Sequence, residues 1–254
     1  MRIVVKVGTS TLTHATGNLN IRRMEQLCRV LSDIKNAGHE VLLVTSGAVG
    51  MGVGKLSLKE RPTEITLKQA VAAVGQCELM YTYDREFSQY NHNIAQILLS
   101  AADVEDAQRR NNFHNTIFRL LDLGVLPIIN ENDTLATEEL GIGDNDTLSA
   151  IVAISASADL LILLSDIDGL YTASPRRDPN AKLLTEVHGI TPEILALASG
   201  KGSELGTGGM VTKLQAAKRV NDAGIDMIIA NGADPNVLYD IVSGKSVGTR
   251  FIAG

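Results

Sequence analysis

Asp159-Leu160-Leu161-Ile162-Leu163-Leu164 runs directly into Ser165-Asp166-Ile167-Asp168-Gly169-Leu170-Tyr171, and this junction decides the fold. Five consecutive aliphatic residues present no polar face. A strand of that kind must be covered on both sides, as the strands of parallel sheets are. The polar residues that follow stand where open α/β sheets receive ligands, beyond the carboxyl end of a strand. The same residues also suit a plain turn.

Comparable runs recur in both directions along the chain: Ile3–Val7, Glu40–Thr45, Asn93–Leu99, Val125–Asn130 and Ile225–Ala230. Helix-length segments separate them. Ile21, Met24, Leu27, Cys28 and Leu31 recur at spacings of three and four, which puts them on one helical face. Leu67 to Tyr90 and Ala107 to Leu123 are further predicted helices, the second closed by Gly124 as a C-terminal cap. This alternation predicts a doubly wound α/β sandwich. No Pro/Ser-rich linker or repeat divides the chain, so one domain is expected over 1–254, with two functional lobes, about 1–155 and 156–254. The loops at 8–20, 131–144 and 169–182 are long enough to be binding loops.

Composition narrows the function. A net charge of −6 argues against non-specific nucleic-acid binding, which needs clustered cations, but leaves room for a local cationic pocket. Cys28 and Cys77 have no CxxC partner and are expected to be buried reduced thiols. His14, His39, His92, His114 and His188 are too scattered for a structural zinc site. The apolar run after Met1 and Arg2 is too short for a signal peptide. No apolar stretch approaches the ~20 residues of a membrane span. A cytoplasmic protein is expected.

Four more segments carry polar chemistry. Lys6-Val7-Gly8-Thr9-Ser10 ends the first strand in a lysine and a glycine, which suits a phosphate or a solvent-facing lysine equally. The P-loop pattern GxxxxGK followed by Ser or Thr is absent. Thr45-Ser46-Gly47-Ala48-Val49-Gly50-Met51-Gly52 opens a strand into a glycine-rich loop, where backbone can approach a ligand closely. Asn130-Glu131-Asn132-Asp133 and Asp144-Asn145-Asp146 bracket one loop, expected to be a hairpin. Solvated turns favour the same residue types; as a site, they would hold Mg²⁺, a substrate ammonium or catalytic lysines. Gly206-Thr207-Gly208-Gly209-Met210-Val211-Thr212-Lys213 leads into a helix. Its N–H groups and the helix dipole make an anion site, a reading favoured over a purely structural glycine run, and Lys213 lies one turn in.

In this order, VVKVGTS, VTSGAVGMG, PIINENDTLATEE, GDNDTLSA, LSDIDGLYTASPR, GTGGMVTKLQAA and SVGTRF resemble the amino acid kinase superfamily, and within it the glutamate 5-kinase family. The resemblance spans nearly the whole chain. It implies a three-layer αβα sandwich around a mainly parallel sheet. It also implies transfer of phosphate from ATP to the side-chain carboxylate of L-glutamate, the first step of proline biosynthesis. Residue by residue, it makes Lys6 and Lys213 the lysines that stabilise the transferring phosphoryl group and Asp146 the carboxylate that organises them. Ser46, Gly47, Asp133, Asp144 and Asn145 are implied to bind glutamate. Gly8, Ser165, Asp166, Thr207, Gly208, Gly209, Met210, Val211, Thr212 and Lys213 are implied to bind the nucleotide.

Mg²⁺ is implied to arrive through the ATP phosphates, with no residue assigned as its ligand. Further implied properties are feedback inhibition by proline, delivery of product to a reductase, and a homo-oligomeric state. Many bacterial members carry a C-terminal module of the kind found in RNA-modifying enzymes. This sequence, ending at Gly254, is expected to lack it and to bind no RNA. The rival readings are a related kinase for N-acetylglutamate, aspartate, carbamate or UMP, and an amino-acid sensor without turnover. A dehydrogenase is disfavoured because GxGxxG does not follow the first strand.

Overall fold

In the central strands, alternate residues part to opposite faces of the sheet and feed two separate cores. The computed structural model describes residues 1–14, 18–135, 144–175, 178–198 and 209–254. The chain begins with β1 (Arg2–Val7), α1 (Thr9–Leu12), α2 (Ile21–Asn36), β2 (Glu40–Val44), α3 (Ala48–Lys55) and α4 (Ile65–Ser88). It continues through β3 (Ile94–Leu99), α5 (Ala101–Glu105), α6 (Ala107–Asp122), β4 (Leu126–Glu131) and α7 (Asn145–Ser155). Then follow β5 (Leu160–Ser165), β6 (Glu186–His188), α8 (Pro192–Ala198), α9 (Met210–Asn221), β7 (Asp226–Asn231), α10 (Val237–Val242) and β8 (Thr249–Ile252).

These strands form one sheet of eight in the order β3-β4-β2-β1-β5-β7-β8-β6. Neighbours run parallel, except that β8 is antiparallel to β7. Val4, Leu42, Val44, Leu161, Leu163, Met227 and Ile229 pack against α6, α7, α8 and α9. Ile3, Val5, Val7, Leu43, Ile162 and Leu164 pack against α2, α4 and α10. The result is the expected three-layer αβα sandwich. Side chains such as Tyr83, Phe87 and Phe251 are fully buried, each contributing roughly 1.5–3 kcal/mol by leaving water.

β1 lies between β2 and β5, which follow it in sequence on opposite sides. Such a reversal of strand order opens a crevice at the carboxyl ends of the strands. Lys6 is in that end of β1.

Three expectations need correction or extension. Met24, Leu27, Cys28 and Leu31 are buried as the spacing required, but Ile21 is 57% exposed. It is the first residue of α2, ahead of the turn that reaches the core. Cys28 is buried whereas Cys77 is exposed: Cys77 falls on the outer face of α4, whose buried face carries Val71, Leu79 and Tyr83. The last two strands of the sheet, β8 and the edge strand β6, gave no apolar run to read. β8 is held by a side chain instead: buried Thr249 accepts a hydrogen bond from Leu170 N at 2.8 Å and donates one to Leu184 O at 2.6 Å. Gly124 takes the left-handed conformation, φ +70°, and closes α6 as expected. The expected hairpin after Asn130 falls mainly on 136–143, outside the described residues.

Candidate active site

One carboxylate holds the centre of the crevice. Lys6 Nζ lies 2.8 Å from Oδ1 of Asp146, and Lys213 Nζ lies 2.9 Å from its Oδ2. The three residues come from β1, α7 and α9, far apart in sequence. Asp146 is 1% exposed and Lys213 6%. Two ammonium groups on one carboxylate leave one positive charge in excess. Burial works to raise the pKa of Asp146, but the two lysines overcome it and hold the carboxyl below its ordinary range.

Local sequence explains the placement. Asp144 is the N-cap of α7, accepting from Thr147 N at 2.8 Å. The cap sets Asn145 and Asp146 at the start of the helix, where the dipole favours an anion. Gly209 caps α9 in extended conformation, and Lys213 follows in the first turn. The Thr212 hydroxyl stands 3.0 Å from Asp146 Oδ2 and 2.8 Å from Gly209 O, tying the helix start to the carboxylate.

Beside this triad lies a network of amides. Asn145 Nδ2 donates to Thr45 O at 2.8 Å, to Asn130 Oδ1 at 3.2 Å and to Ser46 Oγ. Asn130, at 2% exposure, donates from Nδ2 to Gln76 Oε1 at 2.9 Å. Gly47 follows Ser46 with φ +107°, a left-handed conformation that favours glycine, and caps α3. The sequence placed Asn130 in the cluster at 130–133 but gave it no role of its own. Gln76, mid-helix in α4 and outside every polar cluster of the sequence, was not singled out.

Gln76 reaches the network because α3 and α4 touch backbone to backbone. A Cβ on Gly75 would stand 1.7 Å from Ala48 O, and one on Gly52 would stand 2.0 Å from Val71 O. Gly75→Ala is therefore expected to force the helices apart at a cost of ~1–3 kcal/mol. Because Ala48 follows the Ser46-Gly47 loop, the apparent KM for glutamate should rise as well if that loop contacts it. Thermal melting and steady-state kinetics check both effects, and an unchanged midpoint would refute the close contact.

The remaining site candidates are more dispersed. Asp133 is half-buried in the turn after β4. Burial raises its pKa, partly opposed by the charges of Lys68 and Arg61. No hydrogen bond joins it to Ser46, Asn145 or the Lys6–Asp146–Lys213 triad. Asp144 is committed to its cap. Gly8 borders the triad, since a Cβ there would lie 3.5 Å from Lys6 Nζ.

Ser165 ends β5, with its hydroxyl 3.2 Å from Asp166 Oδ1 and its carbonyl accepting from Gly232 N at 2.7 Å. Asp166 is exposed. Asp168, also beyond β5, accepts from Asn231 Nδ2 at 2.8 Å and the Tyr171 hydroxyl at 2.9 Å, bonds that lower its pKa. Met210 is partly buried and Val211 is 41% exposed. Thr207 and Gly208 lie outside the described residues. Among the described residues no three His, Cys, Asp or Glu side chains converge as metal ligands, and no helix is long and apolar enough to cross a membrane.

The amino acid kinase family model matches residues 1–231. A glutamate 5-kinase of Clostridium perfringens is 55% identical over 256 residues, covering 99% of this chain and 95% of that one. A glutamate 5-kinase of Listeria innocua is 52% identical over 254 residues, covering 98% and 92%. Among solved structures, isopentenyl phosphate kinase of T. acidophilum superposes with a TM-score of 0.69 at 18% identity, covering 99% of this chain and 100% of that one. That likeness concerns the fold alone. Together, the matched family model and the full-length identity place the chain in the amino acid kinase family and, within it, among the glutamate 5-kinases.

Proposed function

We propose that the enzyme transfers the terminal phosphoryl group of ATP to the side-chain carboxylate of L-glutamate, giving ADP and L-glutamyl 5-phosphate, the first step of proline biosynthesis. The observation that carries this reading is the buried Lys6–Asp146–Lys213 triad, two ammonium groups held on one carboxylate at a helix start. The acceptor is already ionised at neutral pH, so no general base is needed. The obstacle is bringing two anions together and holding the charge that spreads over the transferring group. The triad's excess positive charge meets that need, and the N–H groups at the start of α9 add donors for phosphate oxygens. Asp146 keeps both ammonium groups fixed before substrate arrives.

Glutamate is assigned to the side of Ser46, Gly47, Asp133 and Asn145, with Asp144 shaping the start of α7. ATP is assigned to the side of Gly8, Ser165, Asp166 and Thr207 to Lys213. This division corresponds to a single domain with lobes of about 1–155 and 156–254. Mg²⁺ enters with ATP as part of the substrate, coordinated by phosphate oxygens and water. The product is an acyl phosphate and hydrolyses readily, so a reductase is the natural consumer.

Purified protein with MgATP and hydroxylamine should form a hydroxamate with glutamate. Formation with N-acetylglutamate or aspartate in its place would overturn the substrate assignment. Proline carries an α-carboxylate and a cationic nitrogen, as glutamate does. If it inhibits by overlapping the glutamate site, inhibition should fade as glutamate rises, and strictly non-competitive inhibition would exclude the overlap.

A further inference from the structure

We infer that Gln76, which contacts no reacting atom, is a positioning residue that anchors Asn130 and, through it, the Asn145 amide, and so tunes affinity for the substrate's amino group. The inference rests on the assignment of Asn145 to the glutamate side. An amide side chain has two ends of similar shape and opposite hydrogen-bonding character, so its orientation decides what it reads.

In this network the order is fixed at each step. Asn130 Oδ1 accepts from Glu131 N at 2.9 Å and from Asn145 Nδ2 at 3.2 Å. Its Nδ2 is left to donate to Gln76 Oε1 at 2.9 Å. Asn145 Nδ2 also donates to Thr45 O at 2.8 Å. The backbone carbonyl of Thr45 and the backbone N–H of Glu131 cannot reverse their polarity, so the three amides run in one direction.

Such a run leaves one unmatched group at each end. Gln76 Nε2 and Asn145 Oδ1 are both buried without a hydrogen-bond partner. A stranded buried polar group is costly, and Gln76 itself is 7% exposed. The unmatched group at the substrate end is an acceptor, which suits an ammonium and rejects a carboxylate. Gln76 supplies the acceptor that the far end of Asn130 needs. Without it, Asn130 Nδ2 is a buried donor with no acceptor; the Glu131 N–H keeps the amide from simply turning over, so the side chain must shift, and the bond that its Oδ1 accepts from Asn145 Nδ2 is strained. Direct contact between α3 and α4 at Gly75 places Gln76 within reach.

Gln76→Leu removes the acceptor, whereas Gln76→Glu keeps an oxygen facing Asn130 and replaces the partnerless Nε2 with the second oxygen of a carboxyl group. With intact enzyme, Gln76→Leu should raise the KM for glutamate about 5- to 100-fold, the factor expected of one stranded buried donor. The KM for ATP and kcat should stay within a few-fold. Glutarate, which has no ammonium, should inhibit wild type and Gln76→Leu with similar constants. Gln76→Glu should restore most of the glutamate affinity. Equal loss of glutarate and glutamate binding would make Gln76 merely structural and overturn the inference, as would a Glu variant no better than Leu. Asn145→Ala separates the two levels. If it leaves the KM for glutamate unchanged, the site assignment itself fails; if it raises KM while Gln76→Leu does not, only the relay fails.

Discussion

Lys213→Ala is expected to lower kcat by ~10²–10³, the usual cost of losing one preorganised donor aimed at developing charge. Lys213 is buried at the start of α9 with its ammonium on Asp146 Oδ2 at 2.9 Å, so its position is fixed before the nucleotide binds. Removing it cancels the excess positive charge, because Asp146 and Lys6 then neutralise each other. Lys6→Ala should behave alike, and, if both lysines act on one phosphoryl group, the double variant should fall well short of the product of the two losses.

Stability should suffer less than catalysis. A buried carboxylate stripped of all partners costs ~3–5 kcal/mol, but in either single variant Asp146 keeps one lysine and the Thr212 hydroxyl. Because the lysines depress the pKa of Asp146, its contribution is present above the ordinary carboxylate pKa. That contribution is lost only as pH falls through the depressed value. Melting at neutral pH therefore tests whether the variants remain folded. Activity of Lys213→Ala within a few-fold of wild type would remove that residue from the mechanism.

What the sequence made legible follows from where each signal lies. The six long apolar runs and their polar ends are local features, and they were sufficient for a parallel α/β sheet and for the end of it where the Lys6–Asp146–Lys213 triad lies. β6 and β8 were invisible because β8 is held by Thr249 and by pairing with β7, not by an apolar pattern. Lys6, Asp146 and Lys213 could be proposed through motif resemblance, but their convergence on one carboxylate depends on three elements meeting across the sheet.

Gln76 had no local mark at all. Its place in the network depends on two glycines, Gly52 and Gly75, that let α3 and α4 touch. Helical periodicity explains the exposure of Cys77 equally well after the fact, yet cysteine's usual preference for the core pointed the other way. Asp144 illustrates the reverse case: a residue at a motif position carries the load of a helix cap, and that load was not separable from ligand binding in the sequence.

Asp133→Ala is expected to raise the KM for glutamate strongly while leaving the KM for ATP nearly unchanged. Burial pushes the Asp133 carboxyl above its ordinary range, and Lys68 and Arg61 relieve this only in part. An ionised carboxylate in that position calls for a cation. The α-ammonium of free glutamate supplies one; the neutral amide of N-acetylglutamate does not. With Asp144 occupied by its cap, Asp133 is the better candidate for the ammonium partner, alongside the unmatched acceptor of Asn145. Breaking one side of a buried charge pair costs roughly 2–5 kcal/mol. At 1.4 kcal/mol per decade this corresponds to about 30- to several-thousand-fold in binding, and the same factor should separate free glutamate from its N-acetylated form.

The raised pKa adds a second signature. As pH falls, Asp133 of the free enzyme is protonated before an ordinary carboxylate would be, so kcat/KM for glutamate should decline early on the acid side. Asp133→Asn should lose that early decline and keep only the titration of the substrate's own carboxylate. Steady-state kinetics on both substrates across pH decides between these outcomes. An unchanged glutamate KM in Asp133→Ala would remove Asp133 as the ammonium partner and leave Asn145 as the remaining candidate for reading the amino group, whereas equal turnover of N-acetylglutamate would remove both.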